Sequence, residues 1–387
     1  MAPKNQAAWL VEKRSSLLEV SDAPYSSPGP GQVTTKNGAI AINPFDWVLQ
    51  YQSGMLAGHL MYPMVLGTDV AGTVVEVGPG VTRFKVGDRI AGNAVSAAKE
   101  SNNAAEGAFQ LYSVMRENMI TKVPKHFSHE QAAVLGLGIV TATYGLFHED
   151  YLGLDMPKVL PPPNPQPGKR YTRAVIVTGG ASSVGASAVQ LAVSAGYKVV
   201  STCSPKNFEM VHNLGAADVF DYNSSTLVSD LVHALEGYEL CGAYSIGANA
   251  DALCVSVIQE RLAKSPNLPT KKFVAMAGGK SPNADALKGA FGLYRMMGNM
   301  TTMMGKNAIT KFTTGVQVKF IMMTDLIQFD SCVSKIYLEF LGPALAQGQF
   351  VPAPEPKVVG HGLEKINEAL EINQKGVSAS KVVVALP

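Results

Sequence analysis

The stretch best suited to hold a phosphate group is Gly179-Gly180-Ala181-Ser182-Ser183-Val184-Gly185. A β-branched run, residues 174–178, precedes it and reads as a buried parallel strand. Small and apolar residues follow to Ala195 and predict a helix, and a second apolar strand is expected at residues 198–202. Strand, glycine turn, helix, strand is the first half of a dinucleotide-binding unit, with the helix N-terminus aimed at a pyrophosphate. Gly180, Ala181, Ser182, Ser183 and Val184 are therefore expected to contact a cofactor. In the G-x-x-G-x-x-G spacing Ser182 stands where a glycine would let the backbone approach phosphate. An ordinary strand-to-helix turn is the simpler alternative for these residues taken alone.

The end of the second strand discriminates between cofactors. A site for NAD places Asp or Glu roughly 20 residues past the glycine turn, where it accepts bonds from the ribose 2′-hydroxyl. Here the chain reads Thr202-Cys203-Ser204-Pro205-Lys206-Asn207, without an acid. A carboxylate would repel a 2′-phosphate, whereas the hydroxyl of Ser204, the ammonium of Lys206 and the amide of Asn207 would bind it. Ser204 also suits the N-cap of the next helix, with Pro205 at its first position. These residues predict NADPH.

The elements that must position these groups are legible in outline. At 387 residues the chain can form two domains with substantial cores. A hydrophobic content of 47% with 16% charged residues suits an α/β enzyme better than a disordered chain. The net charge of +2 offers no electrostatic case for nucleic acid. The N-terminus lacks the apolar core of a signal peptide and no run reads as membrane-spanning, so a cytoplasmic location is expected. Cys203, Cys241, Cys254 and Cys332 are scattered without metal-binding spacing and are read as reduced thiols.

Residues 1–135 are punctuated by glycine, with short strands such as 32–35 and 72–77, and suggest a compact barrel-like β domain. Ser128 is expected to cap a helix leading through an apolar segment to Phe147. A proline-rich loop spans residues 157–168. Further strands are expected at 218–222, 241–246 and 272–277. Residues 291–304, FGLYRMMGNMTTMM, are dense in methionine. Such a stripe usually fills a core adaptably. The functional alternative is a flexible apolar wall for a long acyl substrate, formed by Phe291, Tyr294, Met296, Met297 and Met300. From about residue 313 the chain is expected to return to the first domain, closing with an amphipathic helix at 362–375 and a strand at 381–385. The expected division is thus 1–135 with 313–387, and 136–312.

The order of several motifs over nearly the whole chain resembles the medium-chain dehydrogenase/reductase superfamily. They are Ala41-Ile42-Asn43-Pro44-Phe45-Asp46, Leu66-Gly67-Thr68-Asp69-Val70-Ala71-Gly72, Val86-Gly87-Asp88-Arg89-Ile90, the glycine turn, and Ser380-Lys381-Val382-Val383-Val384. The resemblance implies an α/β fold, with a GroES-like β-barrel-type domain enclosing a cleft with a Rossmann doubly wound parallel sheet. Its cofactor site would add Phe45, Asp46, Trp47, Val48, Tyr222, Ala275, Met276, Ser380 and Lys381. The turn, TCSPKNF and Val219-Phe220-Asp221-Tyr222 look most like the fungal trans-acting enoyl reductases. Such proteins serve a polyketide synthase, or its hybrid with a peptide synthetase, by reducing enoyl chains held on an acyl carrier domain.

A catalytic zinc needs three ligands from Cys, His and carboxylate. Zinc-dependent relatives place cysteine where this chain has Asp46 and a His-Glu pair where it has Thr68-Asp69. No metal is therefore expected. Enoyl reduction needs less: hydride adds at the β-carbon, an enolate forms, and the α-carbon takes a proton. Backbone donors, a cofactor ribose hydroxyl or water can stabilise that enolate. Related enoyl reductases carry a lysine two residues after the aspartate, where this chain has Val48. Tyr51, His59 and Tyr62 are the nearby alternatives as proton donors, each with a plain surface or core reading. Asp46 is expected to tie its loop in place, and Phe45 or Trp47 to flank the nicotinamide. Two other functions fit the same residues: a stand-alone quinone or enone reductase, and a non-redox cofactor-binding partner or cyclisation catalyst.

Overall fold

The computed structural model describes residues 3–160, 172–278, 287 and 291–387. Most of the proline-rich loop lies outside the described residues. Six parallel strands form one sheet in the spatial order Asp218–Asp221, Lys198–Cys203, Arg173–Val177, Glu239–Ile246, Phe273–Gly278, Gln317–Phe320. The chain begins at the third of these positions, runs outward to one edge, then returns to fill the other side. That order is the doubly wound one, with its switch point beside Arg173–Val177. Val175, Ile176 and Val177 are buried, as a strand covered on both faces requires. The helix Ser183–Ser194 packs on one face together with Leu137–Phe147, while Leu227–Ala234 and Ala250–Lys264 cover the other.

The β-rich domain carries a seven-stranded sheet. Its path is Glu355–His361, Ser380–Ala385, Gln32–Ala41, Asp69–Val77, Arg89–Asn93 and Ile120–Lys122, with Tyr112–Arg116 also paired to Gln32–Ala41. A three-stranded sheet of Glu19–Ala23, Asn5–Leu10 and Met64–Val65 completes it. The C-terminal strand is antiparallel to Gln32–Ala41, with Val383 opposite Ala41, so the end of the chain is built into this domain.

Two expectations change. The strand Gln317–Phe320 hydrogen-bonds to Phe273–Gly278, so the parallel sheet extends beyond residue 313, where the return to the first domain was placed. The apolar stretch 129–147 is long and apolar enough to cross a membrane by composition, contrary to the reading that no run is. It is instead two helices, His129–Ala132 and Leu137–Phe147, interrupted at Gly136 and mostly buried. Ser128 caps the first as expected: its Oγ accepts from Gln131 N at 3.2 Å, and Gln131 Oε1 accepts from Ser128 N at 3.0 Å.

Candidate functional site

The glycine turn is shaped by what a side chain would strike. Gly179 sits at φ 63°, a left-handed conformation that favours glycine. A Cβ on Gly180 would lie 2.3 Å from Ser201 Oγ, and one on Gly185 2.1 Å from Gly179 O. The helix therefore starts tight against the strand end. Ser182, which replaces a glycine of the motif, caps the helix instead. Its Oγ accepts from Gly185 N at 3.0 Å and donates to Gly179 O at 2.8 Å, an N-cap role that the glycine template hid. At the first helical residue, Ser183 Oγ is buried without a hydrogen-bond partner among the described residues. That hydroxyl faces the helix Leu137–Phe147, where a Cβ on Gly138 would come within 2.6 Å of it. The bare backbone at Gly180 lets Ser201 and Val211 close in, so the first amides of the helix are set at the end of the strand, where a helix N-terminus favours an anion.

At the end of the second strand, Ser204 precedes a short turn with Pro205 at its first position, but its side chain does not cap that turn. Ser204 Oγ lies 3.0 Å from the hydroxyl of Tyr222, whose ring is half-exposed. Lys206, two residues on, is exposed and lines a shallow hollow with Glu209, Asn213 and Glu355, and Asn207 is half-buried. Two hydroxyls therefore stand together at the end of the second strand, with the ammonium two residues beyond. The fold also brings Asp221 beside Cys203 across the sheet, a carboxylate that reading the second strand alone missed. It is engaged locally, accepting from Asn223 N at 2.9 Å. Burial, with Asp221 adding to it, pushes the Cys203 thiol up to about 11. Ala275 and Met276 are buried in their strand, so their contribution to a cofactor site would be through backbone.

On the β-domain side a buried polar cluster forms from three separate motifs. Lys381 Nζ pairs with Asp69 Oδ2 at 2.8 Å and donates to Asn43 Oδ1. Asn43 Nδ2 donates to Thr68 Oγ1 at 2.9 Å, and Thr68 Oγ1 donates to Asp69 Oδ1 at 3.0 Å. Asp69 Oδ1 also accepts from Leu137 N at 2.7 Å. Asp46 Oδ2 accepts from Asn43 N at 2.7 Å, which ties the start of the helix Pro44–Leu56. Burial raises the Asp46 carboxyl to about 8, and the charge on Asp69 pushes in the same direction. Gly136 and Gly138 join this cluster to the phosphate turn: a Cβ on Gly138 would meet Ser183 Oγ at 2.6 Å, and one on Gly136 would meet Asp69 Oδ1 at 2.4 Å. The two halves of the candidate site are thus one helix start apart.

A zinc ion does not fit this cluster. Its carboxylates are committed to an ammonium and a backbone N–H, and no group of three His, Cys, Asp or Glu among the described residues could hold a metal. Lys381 is the cation that Asp69 and Asn43 hold. Sequence reading named Lys381 but not its partner; a lone lysine opening the apolar strand Ser380–Ala385 was the available signal. Ser380 itself is half-buried.

The remaining candidates separate. Trp47 is buried in the β-domain core, its Nε1 donating to Asn373 Oδ1 at 3.0 Å, so it does not flank a cofactor. Phe45 is exposed by 40% and keeps that possibility; Val48 packs partly on the core. Tyr51 is buried and accepts from Gln374 Nε2 at 3.3 Å. Tyr62 donates to Ser53 Oγ at 2.6 Å, and His59 Nε2 lies 3.0 Å from Ala97 O. These partners of Tyr51, Tyr62 and His59 all lie outside the Lys381 cluster. The methionine-rich segment is the clearest departure: Phe291, Tyr294 and Met297 face solvent, while Met296 and Met300 are only partly buried. Neither core filling nor an enclosed pocket wall describes the first three.

Residues 29–125 match the alcohol dehydrogenase GroES-like domain. The chain is 40% identical to "Dehydrogenase pigH" of Monascus ruber over 99% of this chain and 100% of that protein. It is 32% identical to "Trans-enoyl reductase himH" of Aspergillus japonicus over 99% and 97%. The crystal structure of CurK enoyl reductase shares the fold with a TM-score of 0.69 at 19% identity, covering 100% of both chains. A GroES-like domain, the doubly wound sheet joined to it and full-length relatives at this identity make the chain a member of the medium-chain dehydrogenase/reductase superfamily, among its fungal enoyl-reductase-like proteins.

Proposed function

We propose that the protein is an NADPH-dependent, metal-free, trans-acting enoyl reductase that reduces the α,β-double bond of a carrier-bound polyketide in the cytoplasm. The observation that carries this reading is the buried Lys381–Asp69 pair, in which the carboxylate is committed to an ammonium. A buried ammonium cannot polarise an alcohol as a Lewis acid does, but C=C reduction of a thioester does not require that. The relatives named trans-enoyl reductase support the same substrate class.

NADPH, held by the glycine turn, would supply the hydride. The first amides of the helix, from Ser183 on, would bind pyrophosphate, and Ser204, Lys206 and Tyr222 would read the 2′-phosphate. Asp69 and Lys381 hold Asn43 in place beside the helix start. Val48 offers no proton, so the α-carbon proton comes from water, from the ribose hydroxyl, or from Tyr51, His59 or Tyr62.

The test is NADPH oxidation with an enoyl group on an acyl carrier domain, the same group as a small thioester, and a simple quinone, each with and without chelator. Turnover fastest on the carrier-bound substrate and indifferent to chelator is expected. Equal turnover of quinones would assign a stand-alone reductase. Cofactor binding without any turnover would assign the non-redox reading.

A further inference from the structure

The helix Pro44–Leu56, whose start brings Asn43 and Asp46 into the buried polar cluster, is not straight. Gln52, inside it, has φ −127° and ψ 23°, outside helical values. Ser53-Gly54 follows, a pair at which helices bend. At the bend the Gln52 side chain leaves its own helix, and its Nε2 donates to Leu287 O at 2.6 Å, 235 residues on. Both residues are buried, and Leu287 belongs to the β-domain core. A Cβ on Gly292 would lie 2.6 Å from Gln52 Nε2 and 2.2 Å from Leu287 O, so this glycine lets the backbone close on the bond itself. An apolar side chain would fill the same space without needing a partner, whereas a buried amide is tolerated only because it is bonded.

What that bond holds gives it a use. Gly292 opens the helix Gly292–Thr314, about 34 Å long. Met296, one turn in, packs on the β-domain core, and Met303, two turns further, on a core of the parallel-sheet domain. At the far end Gly315, at φ 71°, stops the helix, and Gln317–Phe320 then joins the parallel sheet beside Phe273–Gly278. Apart from Gly292, no described residue of this helix is buried. It is therefore held to the parallel sheet at one end by a strand ladder, and to the β domain at the other by Gln52, Leu287 and Met296. From Gln52 the helix Pro44–Leu56 leads back over about 12 Å to Pro44, beside the Lys381–Asp69 cluster. One buried hydrogen bond thus joins an element that walls the candidate site to an element that rests on both domains.

We propose that Gln52 is a positioning residue: by pinning the helix Gly292–Thr314 to the helix Pro44–Leu56 it sets how the two domains face each other across the cleft. Its effect on turnover rests on the reductase reading, whereas the pin does not. Gln52→Met keeps the volume and removes the donor, and Gly292→Ala leaves Gln52 intact but forces a methyl group against the bond. Hydrogen exchange read by mass spectrometry on the full chain should show residues 296–303 exchanging roughly tenfold faster in either variant. The strands Phe273–Gly278 and Gln317–Phe320 should keep the parent's rates. With a carrier-bound enoyl substrate kcat should fall roughly fivefold or more, since misaligned reacting groups cost rate. The Kd for NADPH should not change, because neither substitution touches the glycine turn. The double variant should lose little beyond either single change, since both act on one bond. Exchange unchanged in both variants, exchange raised evenly along the chain, or local loosening with kcat and KM at the parent's values would overturn the proposal. A parent protein without enoyl turnover defeats the reductase reading alone, and the exchange pattern then decides whether Gln52 pins the helix.

Discussion

Lys206 and Asp46 put charge chemistry to work in opposite surroundings. Lys206 is exposed and follows the Ser204–Tyr222 hydroxyl pair by two residues in the chain. A charge-assisted bond to phosphate contributes about 1.5–3 kcal/mol, so Lys206→Ala should raise the KM for NADPH roughly tenfold or more. The weaker NADH value should hardly move; equal tightness of both cofactors in the parent protein would refute the 2′-phosphate reading. Asp46 is buried, and its carboxyl is raised from 3.8 to about 8. A raised folded-state pKa means the bound proton stabilises the native state fully below the unfolded value, and this contribution is lost as pH rises through about 8. Asp46→Asn keeps an acceptor for Asn43 N–H and removes the titration. Above about pH 8 the variant should be more stable than the parent by ~1–2 kcal/mol, or several degrees in Tm. Thermal melts across the neutral to alkaline range check this; parallel curves for the two proteins would show that Asp46 does not titrate there.

The turn-helix unit at residues 179–194 depends on contact between backbones, which has no slack. The atom facing a Cβ on Gly185 is a carbonyl oxygen of the turn itself, at 2.1 Å, and Gly180 Cα follows at 3.0 Å. Gly185→Ala must therefore push the helix off the strand end, costing about 1–3 kcal/mol. On the proposed site the displaced amides would be those that meet pyrophosphate, so NADPH affinity should fall at least tenfold. Calorimetric titration together with chemical denaturation measures both, and unchanged affinity would mean that pyrophosphate is held elsewhere. The helix Leu137–Phe147 is constrained in the same way at its start. Gly136 and Gly138 let Asp69 and Ser183 approach, so one element serves both halves of the site.

Across the whole molecule, the site exists because the chain crosses between domains more than once. Residues up to about 125 build most of the barrel, and the strand Ser380–Ala385 completes its sheet. That return delivers Lys381 to Asp69. The helix Gly292–Thr314 rests on both domains, through Met296 on one core and Met303 on another.

Local chemistry made much of this legible from sequence. Apolar runs named five of the six parallel strands, because both faces of such strands are covered; the edge strand Gln317–Phe320, with Lys319 in it, carries a weaker signal. Glycines after the first parallel strand named the tight strand-to-helix turn, because such a turn is built from neighbouring residues. Ser128 announced its capping box for the same reason. Contacts between distant segments were not legible. Trp47 belongs to the core because Asn373 comes to meet its indole. Lys381 tolerates burial because Asp69 and Asn43 surround it. Helical spacing around Met300 told which residues share a face, but not which face meets protein, since methionine suits a core and an interface equally. The sequence by itself determined most of the elements and the glycine turn, where the deciding interactions span a few residues. Only the tertiary structure decided which polar groups could be buried together and which apolar face was left outside, because burial depends on what the rest of the chain brings alongside.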